Sequence, residues 1–294
     1  MRYLDQETAS RVRARAMRPL RLSGSGRAEG FHAARASHGP GQEFAEYRAY
    51  SEGDPVRSID WKLYARSDRY YLRRFSREES IRFEILADAS ASMSFAGPGA
   101  VLSKWEYSCR FAMALACLCL YRRDPCGLAF LPSGSGPGVP QGSGAGHLAR
   151  LDAAFSSVKP AGRWDGLEGL APGAAGGKRP SVFFFSDLLC GRAELEASAR
   201  ELTARAGKCF VLHLLDPGED GFPWRGETVF SGLEEEGSVS AAADDLEGAY
   251  RAAAARRRAL CAGLFSSPRL SYFPLRTDLP LFRNLDRFLA GWLK

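Results

Sequence analysis

An acid and two hydroxyls follow a short apolar segment in the pattern Asp88-x-Ser90-x-Ser92. The residues before them, 83–87, are mostly apolar and predict a buried strand that ends just before Asp88. In open α/β sheets, ligands collect beyond the carboxyl ends of the strands, where the strand order reverses. One carboxylate and two neutral hydroxyls are oxygen ligands that suit a hard cation such as Mg²⁺. The pattern therefore indicates either a metal site or a loop in which these residues only turn the chain.

A second acid, Asp187, ends another apolar segment, residues 181–187, which reads SVFFFSD. Two parallel strands that each carry an acid at the carboxyl end place both acids on one rim of the sheet. We therefore predict that Asp187 joins Asp88 at the same site. The alternative is that Asp187 caps the following helix, because Asp is favoured at that position.

Apolar strand segments alternate with helical segments from residue 81 onward. We predict strands over residues 83–87, 126–131, 181–187, 208–216, 227–230 and 269–275. We predict helices over residues 103–123, 147–158, 192–206 and 241–265, and a last one after Thr277 and Asp278. Residues 132–146 and 160–177 are predicted loops. This alternation predicts a mostly parallel sheet with helices on both faces.

The chain before residue 80 has a different character. Residues 5–18 predict an Arg-rich helix, and residues 23–41, rich in Gly, Ser and Ala, predict a linker. Residues 43–79 combine aromatic and charged side chains around a turn signal and predict a small β-rich lobe. We therefore predict three segments: 1–40, the helix and linker; 41–79, the lobe; and 80–294, the α/β domain.

The lobe contains a second set of candidate binding residues. Its charged members surround an aromatic side chain and are predicted to contact a partner: Asp54, Arg57, Asp60, Trp61, Lys62 and Arg66. The alternative is that Trp61 anchors the core of the lobe and that the charges form local ion pairs.

Charge and cysteine content limit the classes of function. The net charge is +6, and residues 1–80 hold sixteen Arg or Lys against eleven Asp or Glu. Nucleic-acid binding through the arginines at positions 11, 13, 15, 18 and 21 is therefore a hypothesis, although a solvated surface is the more common outcome. Seven cysteines without a C-x-x-C pair indicate a reducing compartment and argue against a zinc site or a disulfide framework.

No segment predicts a signal peptide or a membrane span. The longest apolar run, residues 111–121, is much shorter than the roughly 20 residues that cross a bilayer. We therefore expect a cytoplasmic protein. A catalytic role is not expected, because a serine nucleophile needs an adjacent base and two-metal hydrolases need more acids or histidines.

The sequence resembles the bacterial family catalogued as number 58 of the domains of unknown function, a divergent relative of the von Willebrand factor A domain. The likeness runs from about residue 41 to the C-terminus. Its most specific part comprises Glu43-Phe44, Tyr47-Arg48, Tyr50, Gly53-Asp54, Val56-Arg57, Ile59-Asp60-Trp61-Lys62 and Ala65-Arg66. Further matches are Glu79, Asp88-x-Ser90-x-Ser92-Met93, Ser186-Asp187, Asp216-Pro217-x-Glu219 and Tyr250.

The resemblance implies a von Willebrand factor A-like α/β fold with a metal-ion-dependent adhesion site. In that site, Asp88, Ser90 and Ser92 would form the first loop and Asp187 the third, around Mg²⁺ or Mn²⁺. Proteins of this family are thought to act with MoxR-type AAA+ ATPases and other von Willebrand A-like proteins in the assembly or maturation of complexes. The resemblance thus implies a protein-interaction module rather than an enzyme.

One position departs from the family pattern. The second loop of a complete site offers a threonine, whereas this chain reads KPAGRWDGL over residues 159–167 and places Trp164 there. The next residue, Asp165, could compensate at the cost of added negative charge. We therefore expect a site that binds metal weakly, in a closed form or not at all. The alternative function is a metal-free scaffold that contacts its partner through residues 43–66.

Overall fold

The computed structural model describes residues 1–16, 35–37, 43–51, 54, 56–77, 81–144, 146–164, 166–167, 179–234 and 237–292. The strands are β1 (Arg35–Ser37), β2 (Glu43–Ala49), β3 (Tyr71–Arg77), β4 (Phe83–Asp88), β5 (Cys126–Leu131), β6 (Val139–Gly142), β7 (Ser181–Ser186), β8 (Lys208–Leu215), β9 (Glu227–Ser231), β10 (Ser238–Ala242) and β11 (Leu270–Arg276). The α-helices are α1 (Gln6–Ala16), α2 (Trp61–Ser67), α3 (Lys104–Tyr121), α4 (His147–Ser157), α5 (Arg192–Arg205), α6 (Pro217–Gly221), α7 (Ala243–Leu264) and α8 (Leu281–Trp292).

Six strands form the main sheet, in the order β11-β8-β7-β4-β5-β6. All neighbours are parallel except β6, which runs antiparallel to β5 at one edge. The chain passes from β4 to β5 on one side, whereas β7 lies on the other side of β4. The strand order therefore reverses at β4, and a crevice forms where β4 and β7 end.

Two hydrophobic cores cover the two faces of this sheet. Successive strand residues point to opposite faces, so that Ile85 belongs to one core and its neighbour Leu86 to the other. Helices α1, α3, α4 and α8 pack on the first face, and α5 and α7 on the second. The architecture predicted for a von Willebrand factor A-like chain, a mostly parallel sheet between helices, is confirmed.

The N-terminal part forms the predicted Arg-rich helix and β-rich lobe. Helix α1 packs on α3, and its Val12 is buried in the first core. In the lobe, β3 lies between β1 and β2 in an antiparallel sheet, and α2 connects β2 to β3. The boundaries predicted for the three segments stay a prediction.

Three short strands were not predicted, and the first, β1, lies inside the segment 23–41 that was predicted as a linker. Strand β6 lies inside the segment predicted as the loop 132–146, and β10 pairs with β9 to form a hairpin. Both are short, and β6 contains Pro140, which only an edge strand accepts because proline has no N–H to donate. The apolar alternation used to predict strands is weak in such segments.

All seven cysteines are free and buried, as expected for small apolar side chains in a core. Within the described ranges, the longest apolar helices fall short of what a bilayer crossing requires.

Candidate functional site

The first loop of the site begins where β4 ends, at the reversal of the strand order. Asp88 is fully buried, and its Oδ1 accepts a hydrogen bond from Ser90 N at 2.9 Å. Its Oδ2 accepts one from the Ser186 hydroxyl at 2.6 Å, so the ends of β4 and β7 are joined directly. As predicted, β4 and β7, the two strands that lead into Asp88 and Asp187, therefore end at the same rim of the sheet.

Asp88 lies in surroundings that disfavour its charge. Burial raises the pKa of Asp88 to about 7, and the nearby charge of Asp187 adds to the rise, while hydrogen bonds from Ser186 and Ser90 oppose it. A strongly perturbed acid in a crevice is typical of a functional site, because a role in folding alone would not require a costly buried carboxylate.

The two serine hydroxyls of the loop converge. Ser90 Oγ and Ser92 Oγ lie 3.1 Å apart, and both residues are buried. Adjacent ligands of an octahedral Mg²⁺, each at about 2.1 Å from the ion, are about 3 Å apart. The two hydroxyls are hydrogen-bonded to each other, and their spacing also fits two neighbouring positions of such an ion.

The segment that corresponds to the second loop, residues 159–167, lies against the first loop but has Trp164 where a threonine is expected. Ala91 N donates to Gly162 O and Ala161 N donates to Ala89 O, each at 2.9 Å. Trp164 is buried in the second core, with its ring 5.6 Å from that of Phe184. It supplies no oxygen, as predicted from the sequence.

Two further observations concern the metal. Asp165, the expected substitute for the threonine, lies outside the described residues. Within the described part of the chain, no group of three or more acidic, histidine or cysteine side chains is arranged to hold an ion. A divalent ion at this rim would thus depend mainly on hydroxyls and water.

Asp187 stands at the end of β7 in a strained turn. Its Oδ1 accepts from Leu189 N at 3.2 Å. Leu188 has φ of 54°, a left-handed conformation that is unfavourable for a leucine, and its N–H donates to Ser186 Oγ at 2.9 Å. Arg257 holds the turn from α7 by donating to the carbonyls of Leu188 and Cys190. Gly191, not Asp187, occupies the N-cap of α5, so the capping alternative is wrong.

A buried lysine occupies the acidic side of the rim. Lys104 Nζ lies 2.6 Å from Asp187 Oδ2 and 2.7 Å from Glu219 Oε1, and the lysine is fully buried. Burial alone would lower the pKa of Lys104, but the charges of Asp187 and Glu219 outweigh it and hold this pKa above its ordinary value. Asp187 is therefore already paired with a cation.

The loop after β8 connects this lysine to the first loop. Asp216 caps α6 by accepting from Gly218 N at 2.7 Å, and its second oxygen accepts from Gly97 N at 3.1 Å. A Cβ at Gly97 would lie 2.3 Å from Asp216 Oδ1, so only glycine fits there. The contact places α6, and with it Glu219, beside the loop that begins at Asp88.

His213 lies behind the rim and is satisfied as a neutral core residue. Its Nε2 lies 2.9 Å from the Asp187 carbonyl oxygen and its Nδ1 lies 2.7 Å from the Tyr272 hydroxyl. Burial lowers the pKa of His213 to about 4, so the ring is neutral at pH 7. The prediction that it is a core histidine rather than a ligand is confirmed.

An apolar groove opens next to the first loop. It has a volume of about 730 Å³ and lies between the β9–β10 hairpin and α7, and Ser92 and Glu219 are among the residues that line it. The turn of the hairpin carries Glu234, whose Oε1 accepts from Ser92 N at 3.4 Å. A carboxylate of the chain itself thus reaches the mouth of the rim.

The lobe residues have two different roles. Asp60 caps α2 by accepting from Lys62 N and Leu63 N, and Asp54 pairs with Arg48. Trp61 is 55% exposed, so the alternative that it anchors the core of the lobe is wrong. The remaining candidates are exposed beside it: Arg57, Lys62 and Arg66.

Sequence reasoning missed Lys104 and the role of Glu219. One signal was present, because Lys104 is the first residue of α3, directly after the N-cap Ser103. The positive end of the helix dipole disfavours a cation there. A lysine in that place indicates a partner elsewhere, here the two carboxylates.

The fold and the rim together define an α/β chain with a mostly parallel sheet and an acid and hydroxyl site at the reversal of its strand order. The family model described as Protein of unknown function DUF58 matches residues 46–260, and the chain belongs to this family.

One relative by sequence and two solved structures show what this chain is similar to. The uncharacterized protein Rv1480 of Mycobacterium tuberculosis (strain ATCC 25618 / H37Rv) is 27% identical over 263 residues, covering 86% of this chain and 80% of the relative. An aerotolerance-related membrane protein from Bacteroides fragilis NCTC 9343 has a TM-score of 0.47 and 15% identity, covering 73% of this chain and 98% of that one. The SpRpn10 VWA domain has a TM-score of 0.39 and 10% identity, covering 71% and 95%.

Proposed function

We propose that this chain is a non-catalytic protein-interaction module that binds an acidic side chain of a partner through Mg²⁺ or Mn²⁺ at the Asp88 rim. The observation that carries the proposal is the convergence of Ser90 Oγ and Ser92 Oγ, 3.1 Å apart, beside the buried Asp88. Following the family resemblance, the partner is a MoxR-type AAA+ ATPase or another von Willebrand A-like protein, in the assembly or maturation of other complexes.

The residue set suits binding of an external carboxylate. When bound, the ion would supply a Lewis-acidic position for an oxygen of the partner. The serine hydroxyls are neutral, and Lys104 already neutralises part of the acid charge at Asp187. Both features reduce the negative charge that opposes an approaching carboxylate.

The described contacts give little support to serine catalysis at the rim. A serine nucleophile needs a base within hydrogen-bond reach. The two oxygens of Asp88 accept from Ser90 N and from the Ser186 hydroxyl, and both ring nitrogens of His213 are bonded behind the rim. These contacts support binding rather than bond cleavage.

The experiment measures binding of a purified MoxR-type AAA+ ATPase from the same organism with Mg²⁺ and with chelator. We expect binding to require the divalent ion and to be lost in Asp88→Ala. Ser94→Ala is the matched control, because Ser94 lies in the same turn but donates to Ala91 O. Equal binding with and without chelator would refute metal-dependent recognition.

A second candidate is metal-free contact through the lobe. Trp61 is exposed on α2 in T-shaped contact with Tyr64, whose ring is stacked on that of Tyr70. Exposed aromatic side chains next to cations are typical of binding surfaces, and here the cations favour an acidic partner.

The two candidates make opposite predictions in the same assay. If the lobe makes the contact, Trp61→Ala abolishes binding, Trp61→Phe preserves most of it, and chelator has no effect. If the rim makes the contact, Trp61→Ala binds the partner nearly as well as the wild type does.

A further inference from the structure

The ammonium of Lys104 is, like the carboxylate of Asp88, fully buried at the rim. Nζ lies between Asp187 Oδ2 at 2.6 Å and Glu219 Oε1 at 2.7 Å, and 5.6 Å from the centre of the Phe95 ring. Lysine side chains normally extend to water, and a buried one requires paired charges. This side chain is therefore held inside the rim by its two carboxylates.

These two carboxylates come from different segments. Asp187 follows β7, and Glu219 belongs to α6 after β8. Lys104 starts α3, so one side chain joins three elements around the crevice. A divalent ion joins carboxylates from separate loops in the same way, so Lys104 makes the kind of link that a metal ion would make.

The charges remain unbalanced after this pairing. Asp88, Asp187 and Glu219 are three acids around one ammonium, and burial raises the pKa of Glu219 although Lys104 opposes the rise. In the first loop, the carboxylate of Asp88 instead accepts hydrogen bonds from Ser90 N and from the Ser186 hydroxyl. The rim is thus divided into a half that holds an ammonium and a half that holds hydroxyls.

We propose that Lys104 is a built-in cation that takes the place of a divalent ion at Asp187 and Glu219. This half of the rim is assembled without metal, and a metal ion has only the half formed by Asp88, Ser90 and Ser92. The inference deepens the proposed function, on which it rests, because Lys104 then sets how tightly the rim binds its ion.

The test is to replace Lys104 by methionine, which removes the ammonium but keeps an unbranched side chain in its place. Lys104→Met frees Asp187 and Glu219, and we expect it to bind Mn²⁺ at least tenfold more tightly than the wild type in a titration followed by electron paramagnetic resonance. Lys208→Met is the control, because it removes the same charge at the start of β8, at the end of the parallel strands that lies opposite the rim. Its Mn²⁺ affinity should equal that of the wild type. A Lys104→Met affinity equal to or weaker than the wild-type affinity would overturn the proposal.

Thermal unfolding covers the case in which Lys104→Met is unfolded without metal. We expect saturating Mn²⁺ to restore its folding and to raise its Tm by more than it raises the wild-type Tm. Failure of Mn²⁺ to restore the variant would overturn the proposal. The partner assay is separate, because chelator-insensitive partner binding refutes the proposed function without changing the metal affinity of Lys104→Met.

Discussion

Replacing Asp88 by asparagine should stabilise the metal-free protein. The substitution keeps the shape of the side chain and removes a charge that is fully buried at the end of β4. A destabilising residue retained in a crevice is expected when its charge serves binding rather than folding.

The magnitude follows from the pKa of this carboxyl. Burial, and then the charge of Asp187, raise the pKa of Asp88 from 3.8 to about 7. At about 1.4 kcal/mol for each factor of ten in acidity, ionisation in the folded state costs about 4 kcal/mol. Asparagine has one acceptor oxygen where aspartate has two, so it cannot accept from both Ser90 N and the Ser186 hydroxyl, and a lost hydrogen bond costs about 1–2 kcal/mol. The variant should therefore be more stable by about 2–3 kcal/mol at pH 8.

The sign of the pH dependence follows from proton binding. Between pH 4 and pH 7, the folded chain keeps a proton on Asp88 that the unfolded chain has lost, because the folded-state pKa is the higher one. The contribution of Asp88 to stability is therefore greatest below pH 4 and is lost as the pH rises to 7. Asp88→Asn lacks this dependence.

The assay is urea unfolding of both proteins in chelator at several pH values. The difference in free energy of unfolding should grow from pH 4 to pH 7 and then level off. A variant that is less stable than the wild type at pH 8 in chelator would refute the reasoning, since the buried charge would then not be costly.

Three further predictions concern neighbouring residues. In the Asp88→Asn background, lowering the pH from 8 to 5 should reduce the free energy of unfolding by about 2 kcal/mol. Burial holds the pKa of His213 at about 4 in the folded state, so at pH 5 the unfolded chain binds a proton at His213 that the folded chain does not. His213→Gln should flatten this acid limb in urea unfolding, and an unchanged limb would contradict the assignment. Trp164→Thr should lower the free energy of unfolding by about 3–5 kcal/mol, because it empties a core position, yet raise Mn²⁺ affinity in a calorimetric titration through the added hydroxyl. Glu234→Gln should strengthen binding of the acidic partner in the pull-down, because it removes a carboxylate from Ser92 N.

The sequence predicted the main sheet and the meeting of its two acids for a simple physical reason. Buried parallel strands are continuous apolar segments, and the acid that ends each one lies at the carboxyl edge. Asp88 and Asp187 follow such segments, β4 and β7, which are neighbours in the sheet. The side-chain partners were not predictable in this way, because Lys104 and Glu219 meet Asp187 only through the packing of α3 and α6.

Other predictions were wrong or missing because the amino-acid sequence alone carries little signal for these features. Strands β6 and β10 are short edge strands with little apolar alternation. A tryptophan usually indicates a core position, but Trp61 lies on the solvent side of α2, and its exposure is decided by how the lobe packs. Trp164 shows the opposite case, since its burial follows from the core beneath the second-loop segment.

The most direct test of the account is a calorimetric titration of the wild type, Ser90→Ala and Ser94→Ala with Mg²⁺ and Mn²⁺. Ser90 and Ser94 lie in one loop, but only the Ser90 hydroxyl faces that of Ser92. We predict one ion per chain for the wild type and for Ser94→Ala, and at least a tenfold loss of affinity for Ser90→Ala. Absence of ion binding by the wild type, or equal binding by Ser90→Ala, would contradict the claim that the convergent hydroxyls of the rim hold a divalent ion.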